Sequence, residues 1–368
     1  MEEIMLRTSE RNTFKQCQWK WEREYQDRLK PKHQKADALW FGTGIHLALE
    51  KWYVPGKKRG ANPIETWMQY VEDTAADTTF INTNFDGDST LAVEAGELGK
   101  AMLYAYIDEY GEDEHMEVLA TEMPFNVGIK YKTLGGDTKI ARYVGTMDLV
   151  YRDQRDGKVF ALDHKTCRQL GSANTQYLRL DDQAGAYYAV AATVLRDKGL
   201  IGPKETIAGI DYNYLVKAMP DNRPRNKEGY ATNKPTKKHY LEQLPQHGVE
   251  VADKMTVKQL QELAEQNGVQ VFGEVSATQP TKRFERVRVR RSKKEQASQI
   301  RRIADDLAAM QAVRDDILKA TKAPSRNCTF CPFRDICELN EDGRDYTDMA
   351  AELYAPWDPY EAHRKENA

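Results

Sequence analysis

Four of the five cysteines in this 368-residue chain fall in two groups that the sequence holds far apart. Cys17 stands near the start, while Cys328, Cys331 and Cys337 follow in the run CTFCPFRDIC. If these thiols share one metal centre, the fold must return its C-terminal segment to its first helices. Four thiolates suit zinc and also suit an iron–sulfur cluster. Zinc sites of four cysteines commonly show paired C-x2-C knuckles. A single C-x2-C, an x5 spacing and a remote residue lean toward the cluster but leave zinc open. The odd cysteine count argues against a disulfide framework. The N-terminus has no basic segment followed by an apolar one, so a reducing, cytoplasmic location is expected. Cys167, the fifth cysteine, reads as structural.

The length allows a substantial core in one elaborated domain or two. No apolar run approaches the ~20 residues needed to cross a bilayer, so no membrane partner is expected. The formal net charge of −3 does not advertise a nucleic-acid partner, but its distribution does. Lys282 to Arg302 holds ten Lys/Arg against Glu285 and Glu295, and Asp221 to Lys238 holds six against Asp221 and Glu228. Each run alone fits a solvated face equally well. Next to a site for phosphodiester chemistry, phosphate contact would be the better reading, with Arg286, Arg288, Arg290 and Arg291 as candidates.

Residues 1–115 read as a helical region. Phe14, Cys17, Trp21 and Tyr25 fall at helical spacing on one face, a second helix runs from near Phe41 through GTGIHLALEKWY, and a loop is expected around Asn82–Ser89. Residues 116–217 change character. EVLATEMPFNV, KIARYVGTMDLVYRD and KVFALDHKTC are β-rich and separated by Gly135-Gly136 and Asp156-Gly157. A helix follows, with Asp181 or Asp182 as N-cap and Gly199 as C-cap, and then the strand TIAGIDYNYLVKA. Residues 218–281, rich in Pro, Asn and Lys, read as an insertion with one short amphipathic helix. In 282–368, RFERVRVRR is a strand whose arginines alternate with Phe284, Val287 and Val289. Ser292 and Glu295 form a capping box for a long helix with Ile300, Ile303, Leu307, Met310, Val313 and Ile317 on one face.

Asp148 closes GTMD in one expected strand, and Asp163-x-Lys165 lies in the next. Alternation puts Asp163 and Lys165 on one face, and a hairpin would bring Asp148 to Asp163. Two carboxylates can hold Mg²⁺ or Mn²⁺, and an adjacent ammonium can orient a water or stabilise charge on a phosphate. An exposed ion pair is the plainer alternative for Asp163 and Lys165. The apolar run Val159–Leu162 before them argues for burial, where such a pair is costly unless used. His46 sits on a helix. Gln183 and Tyr187 share a helix face. Glu122 is a lone acid in an apolar strand, turned either to the metal or to solvent.

In this combination the chain resembles the PD-(D/E)xK nuclease superfamily, in its RecB-like and AddB-like branch with a four-cysteine cluster, which includes CRISPR-associated RecB-like exonucleases. The resemblance rests on Cys17, His46 in GTGIH, Asp148 in G-x-x-D, Asp163-x-Lys165, Gln183-x-x-x-Tyr187 and the closing cysteines, in the family's order over nearly the whole chain. It implies an α/β fold with a mixed central sheet flanked by helices, its N- and C-terminal segments joined by the cluster. It implies that His46, Asp148, Asp163 and the backbone carbonyl of His164 ligate the catalytic metal and that Lys165 is catalytic. It also implies that Gln183 and Tyr187 contact DNA near the scissile phosphate, and that Cys17, Cys328, Cys331 and Cys337 hold a [4Fe–4S] cluster.

The function expected is metal-dependent hydrolysis of DNA, as an exonuclease in recombination, repair or replication. No Walker A pattern is present, so no motor is built in. Such an enzyme works alone or with a separate recombination or replication partner, and rings among family members make a homo-oligomer one expectation. Two rivals remain: trimming of CRISPR spacer precursors, and a non-catalytic iron–sulfur DNA-binding subunit.

Overall fold

A computed structural model describes residues 4–32, 37–252 and 254–365. The outermost residues of the two terminal segments lie outside them. The chain forms two compact units, one of residues 1–217 with 284–368 and one of residues 218–283.

The first unit begins with β1 (Met5–Leu6), α1 (Thr8–Gln16), α2 (Gln18–Trp21) and β2 (Leu29–Pro31), followed by α3 (Asp37–Trp52), α4 (Pro63–Ala75), α5 (Thr78–Asn84) and α6 (Ser89–Tyr110). Next come β3 (Met116–Lys132), β4 (Thr138–Asp153), β5 (Val159–Cys167), the short α7 (Ser172–Thr175), α8 (Asp182–Asp197) and β6 (Ile207–Val216). The second unit holds α9 (Lys237–Gln243) and α10 (Val257–Gln266) around a core of its own, which includes Tyr240, Leu244 and Leu260. The first unit resumes with β7 (Phe284–Val289), α11 (Lys293–Arg314), α12 (Arg334–Glu341), α13 (Thr347–Leu353) and β8 (Tyr354–Pro356).

Six strands make one mixed sheet in the order β1-β4-β5-β6-β7, with β3 along the other edge of β4. Antiparallel pairing joins β4 to β3, β4 to β5 and β6 to β7, and parallel pairing joins β5 to β6 and β1 to β4. One edge of β4 is therefore shared. β1 pairs with Arg142 and Tyr143, and β5 pairs only from Leu149 onward. Between them, among the described residues, Val144–Asp148 has no strand neighbour on that side, and the sheet opens there. A core of α1, α2, α8 and α11 residues covers one face, including Trp21, Leu195, Leu307 and Met310. The other face is covered from α3, α4 and α6, with Ile45, Trp67 and Tyr106.

The pattern from Phe14 to Tyr25 is not one helix. It breaks at Cys17, whose backbone is extended (φ −165°, ψ 114°), and ends in a π-helical turn at Glu22–Gln26. The single extended residue swings Cys17 off the face of Phe14, Trp21 and Tyr25, which join the main core. Cys17 packs instead with Trp19, Phe333, Ile336 and Tyr354. The expected loop at Asn82–Ser89 is shorter, because α5 reaches Asn84 and α6 starts at Ser89 with Asp88 as its cap. The face of α11 stops before Ile317, since the helix ends at Arg314 and Ile317 is exposed. The second unit holds two helices rather than one. β2 and β8 form an antiparallel pair, Lys30 opposite Ala355, so the terminal segments of the first unit meet through backbone hydrogen bonds.

Candidate active site

Asp148 lies at the end of the open stretch of β4. The β4–β5 ladder stops at Leu149 opposite Leu162, so the next residues of β5 find other partners. The backbone N–H of His164 donates to Asp148 Oδ2 at 2.8 Å. The His46 ring, from α3, hydrogen-bonds the His164 backbone, and its Nδ1 stands 3.3 Å from Asp148 Oδ2. Gly145 lets β4 run close under β3. A Cβ there would meet the Phe125 ring at 2.6 Å.

Asp163 and Lys165 share the face of β5 that α8 covers. Lys165 Nζ lies 2.6 Å from Asp163 Oδ2 and donates to Gln183 Oε1 at 3.0 Å. Gln183 Nε2 donates in turn to Asp163 Oδ1 (3.0 Å) and to the Tyr187 hydroxyl (3.2 Å). Asp181 caps α8 by accepting from the Ala184 N–H and also accepts from the Tyr212 hydroxyl. The start of α8 is thereby tied to β6, which sets Gln183 over β5. Beyond Lys165, Asp163 Oδ2 has no partner among the described residues, although the side chain is buried.

Glu122 completes the cluster from β3. One ligand atom each from His46, Glu122 and Asp148 lie within 4.8 Å of one another. Glu122 has φ +40°, a left-handed backbone that costs a non-glycine residue on the order of 1–3 kcal/mol and tends to mark functional sites. Burial, then Glu50 and Asp163, push its carboxyl up to about 7. Burial and the Asp163 charge hold Asp148 well above the carboxylate range, against the His164 N–H. Burial also keeps His46 below the usual histidine value, despite Asp163. Burial works against the Lys165 ammonium, but Asp163 outweighs it and the pKa is raised. A neutral imidazole, crowded carboxylates reluctant to ionise together and a buried carboxylate oxygen with a free lone pair are the donor set a hard divalent cation fits. Glu50, one helical turn beyond His46 on α3, belongs to this electrostatic group. Its i, i+4 spacing from His46 was the sequence signal for it.

Beside Gln183 and Tyr187 a recess of about 320 Å³ is lined by Arg7, Thr8, Asn12, Val144, Gly145 and Thr146. It occupies the gap between β1 and β5.

The basic strand β7 is placed differently from the expectation of phosphate contact. Phe284 shares a face with Arg286 and Arg288, not with Val287 and Val289, and both arginines turn to buried acids. Arg286 forms a bidentate pair with Asp113 (2.6 and 2.7 Å), and Arg288 pairs with Asp211 (2.7 and 2.8 Å). Their planes lie 3.7 Å from the Tyr110 and Phe160 ring centroids. Arg291 is buried and donates to the carbonyls of Leu178 and Asp181. These three support the sheet, and Arg290 is exposed.

Cys17, Cys328, Cys331 and Cys337 line one cavity of about 450 Å³ with Lys20, Lys322 and Arg334. No three of these sulfurs lie within 4.8 Å of one another. Cys167 lies apart, packed against the main core.

A family model described as the PD-(D/E)XK nuclease superfamily matches residues 8–338. The chain belongs to this superfamily. No curated protein matches the sequence. Membership makes the chain a nuclease of a class that uses divalent metals to hydrolyse nucleic acid. No helix among the described residues is long and apolar enough to cross a membrane.

Proposed function

We propose that this nuclease is a Mg²⁺- or Mn²⁺-dependent DNA exonuclease that processes ends during recombination, repair or replication. The observation that carries the metal-dependent chemistry is that His46, Glu122 and Asp148 lie within one cation's reach, under the charge of Asp163, which Gln183 bridges to Lys165. His46, Asp148, Asp163 and the His164 carbonyl would hold the cation, with Glu122 beside it. When bound, the cation polarises a phosphate oxygen and lowers the pKa of a water. The chain's own residues do the rest. Asp163 and Gln183 fix the Lys165 ammonium in its charged form, where it stabilises negative charge developing on the phosphate. Tyr187 and Gln183 border the recess of about 320 Å³. That space suits one nucleotide unit of a strand rather than a duplex, and this supports feeding from an end.

The four cysteines we assign to a [4Fe–4S] cluster. Tetrahedral zinc with Zn–S near 2.3 Å needs sulfurs about 3.8 Å apart, closer than the cavity brings any three of them. The single C-x2-C, the x5 spacing and the remote Cys17 are what favour the multi-iron centre.

DNA labelled separately at its 5′ and 3′ ends, incubated with Mg²⁺ or Mn²⁺, tests the reading. Mononucleotides should appear from one labelled end first, and Asp163→Ala should abolish this. Cleavage that survives Asp163→Ala, or internal cuts only, would overturn it.

A further inference from the structure

The residue between Asp163 and Lys165 is a histidine, and its side chain turns away from both, to the face covered by α3 and α6. There His164 starts a polar row that crosses three strands. His164 of β5 is in register with Asn213 of β6, and Asn213 with Arg286 of β7. His164 Nδ1 and Asn213 Nδ2 are 2.8 Å apart. The same amide nitrogen donates to the Tyr106 hydroxyl at 2.9 Å. Asn213 Oδ1 accepts from Arg286 Nε at 3.3 Å, while the Arg286 fork closes on Asp113 and Tyr106. Tyr53 donates to Asp113 and stacks on the His164 ring, 6.0 Å between centroids.

Every polar atom of Asn213 is committed, and the commitments fix roles. Its amide has two N–H groups, one for Tyr106 and one for His164, so Nδ1 of His164 must accept and the ring proton sits on Nε2. The row is buried: Asn213 is 0 % exposed and His164 3 %. Buried polar groups of this kind are rigid when all are satisfied, and costly when one is lost.

The row matters because of what the backbone of His164 does on its other side. The β4–β5 ladder has already ended, so on the β4 side no described strand residue pairs with His164. Its N–H serves Asp148, and its backbone also meets the His46 ring. We propose that His164 is a positioning residue for the cation site, its ring anchored through Asn213, Tyr106 and Arg286 so that its peptide stays aimed at Asp148 and His46. The inference rests on the metal-dependent reading of that site. Arg286 then serves the nuclease as the outer anchor of this row.

Mn²⁺ binding to the purified full-length protein, followed by calorimetry or by loss of the free-ion electron paramagnetic resonance signal, tests this without reference to activity. His164→Leu removes the acceptor and should raise the Mn²⁺ Kd about 10- to 100-fold, the range seen when groups behind metal ligands are lost. His164→Asn, whose amide oxygen falls about where Nδ1 lies, should restore affinity close to that of the unaltered protein. Tyr106→Phe, a milder change that keeps the packing, should weaken binding in the same direction. If His164→Leu fails to fold, the comparison of Tyr106→Phe and His164→Asn decides. Binding that Asp148→Asn abolishes but His164→Leu or Tyr106→Phe leaves unchanged would overturn the positioning role alone. A protein that binds no Mn²⁺ at all would overturn the metal-site reading and this proposal with it.

Discussion

At the residue scale, Lys165 and Glu122 carry opposite expectations. Lys165→Ala should slow DNA hydrolysis about 10²- to 10⁴-fold while leaving Mn²⁺ binding measurable, because the carboxylates and His46 remain; single-turnover rates at saturating metal check this. Glu122 bears on stability. Its pKa in the metal-free fold, about 7 against a usual 4.5, means the folded state holds a proton that the unfolded state has released. Its contribution is therefore most favourable below the ordinary carboxylate pKa and is lost as pH rises toward 7. Metal-free thermal melts should show the midpoint of the unaltered protein falling relative to Glu122→Gln between about pH 4.5 and 7, and saturating Mg²⁺ should remove the difference. The site residues were legible because family spacing and strand alternation name Asp148, Asp163 and Lys165 directly. The arginines of β7 were not. A run of basic residues looks the same whether it meets a phosphate or Asp113 and Asp211, and those acids lie far off in sequence.

Single elements show where local pattern suffices and where packing takes over. The Ser292–Glu295 capping box was readable three residues apart and is formed in α11. The break at Cys17 was not readable, since the apolar spacing runs on as though the helix continued; only the separate clusters around Trp21 and Trp19 call for a turn there. The packing of α4 on α6 rests on glycine. A Cβ at Gly99 would stand 2.3 Å from the Trp67 indole, which is fully buried and pinned by Nε1–H donation to the Gly96 carbonyl at 2.7 Å. In a free helix Gly99→Ala would gain about 1 kcal/mol. Against an indole that cannot move, overpacking of about 1–3 kcal/mol opposes that gain. The variant should be less stable in urea unfolding despite its better helix propensity.

On the scale of the molecule, the second unit is a compact excursion between two strands of the first. It leaves after β6 and returns into β7, and these strands pair antiparallel with Leu215 opposite Phe284. Its two crossing points are therefore hairpin neighbours. Replacing residues 218–283 by a short turn should leave a soluble first unit that still binds Mn²⁺ and melts cooperatively; failure to fold would show that the unit is integral. The cysteine cavity follows a related logic. Cys17→Ala should eliminate bound iron and lower the melting temperature, yet leave the far-ultraviolet circular dichroism intact, because β2–β8 pairing and the Trp19–Phe333–Ile336–Tyr354 cluster join the same segments without metal. Unchanged iron content and melting temperature would remove the cluster from the account.

The pairing of Lys30 with Ala355 also sets a schedule for biogenesis. The strand at Leu29–Pro31 has no neighbour until the chain has been translated as far as Tyr354. Trp19 must wait for Phe333 and Tyr354 before it is covered, and Glu10 for Tyr360 and Arg314. A nascent chain thus presents Trp19 to the cell's chaperones until Phe333 and Tyr354 have been made. Whatever centre the four sulfurs accept can be completed only once Cys337 has been made. A prematurely terminated product carries one cysteine of the set, cannot be loaded, and exposes the same aromatic surface that marks a chain for degradation.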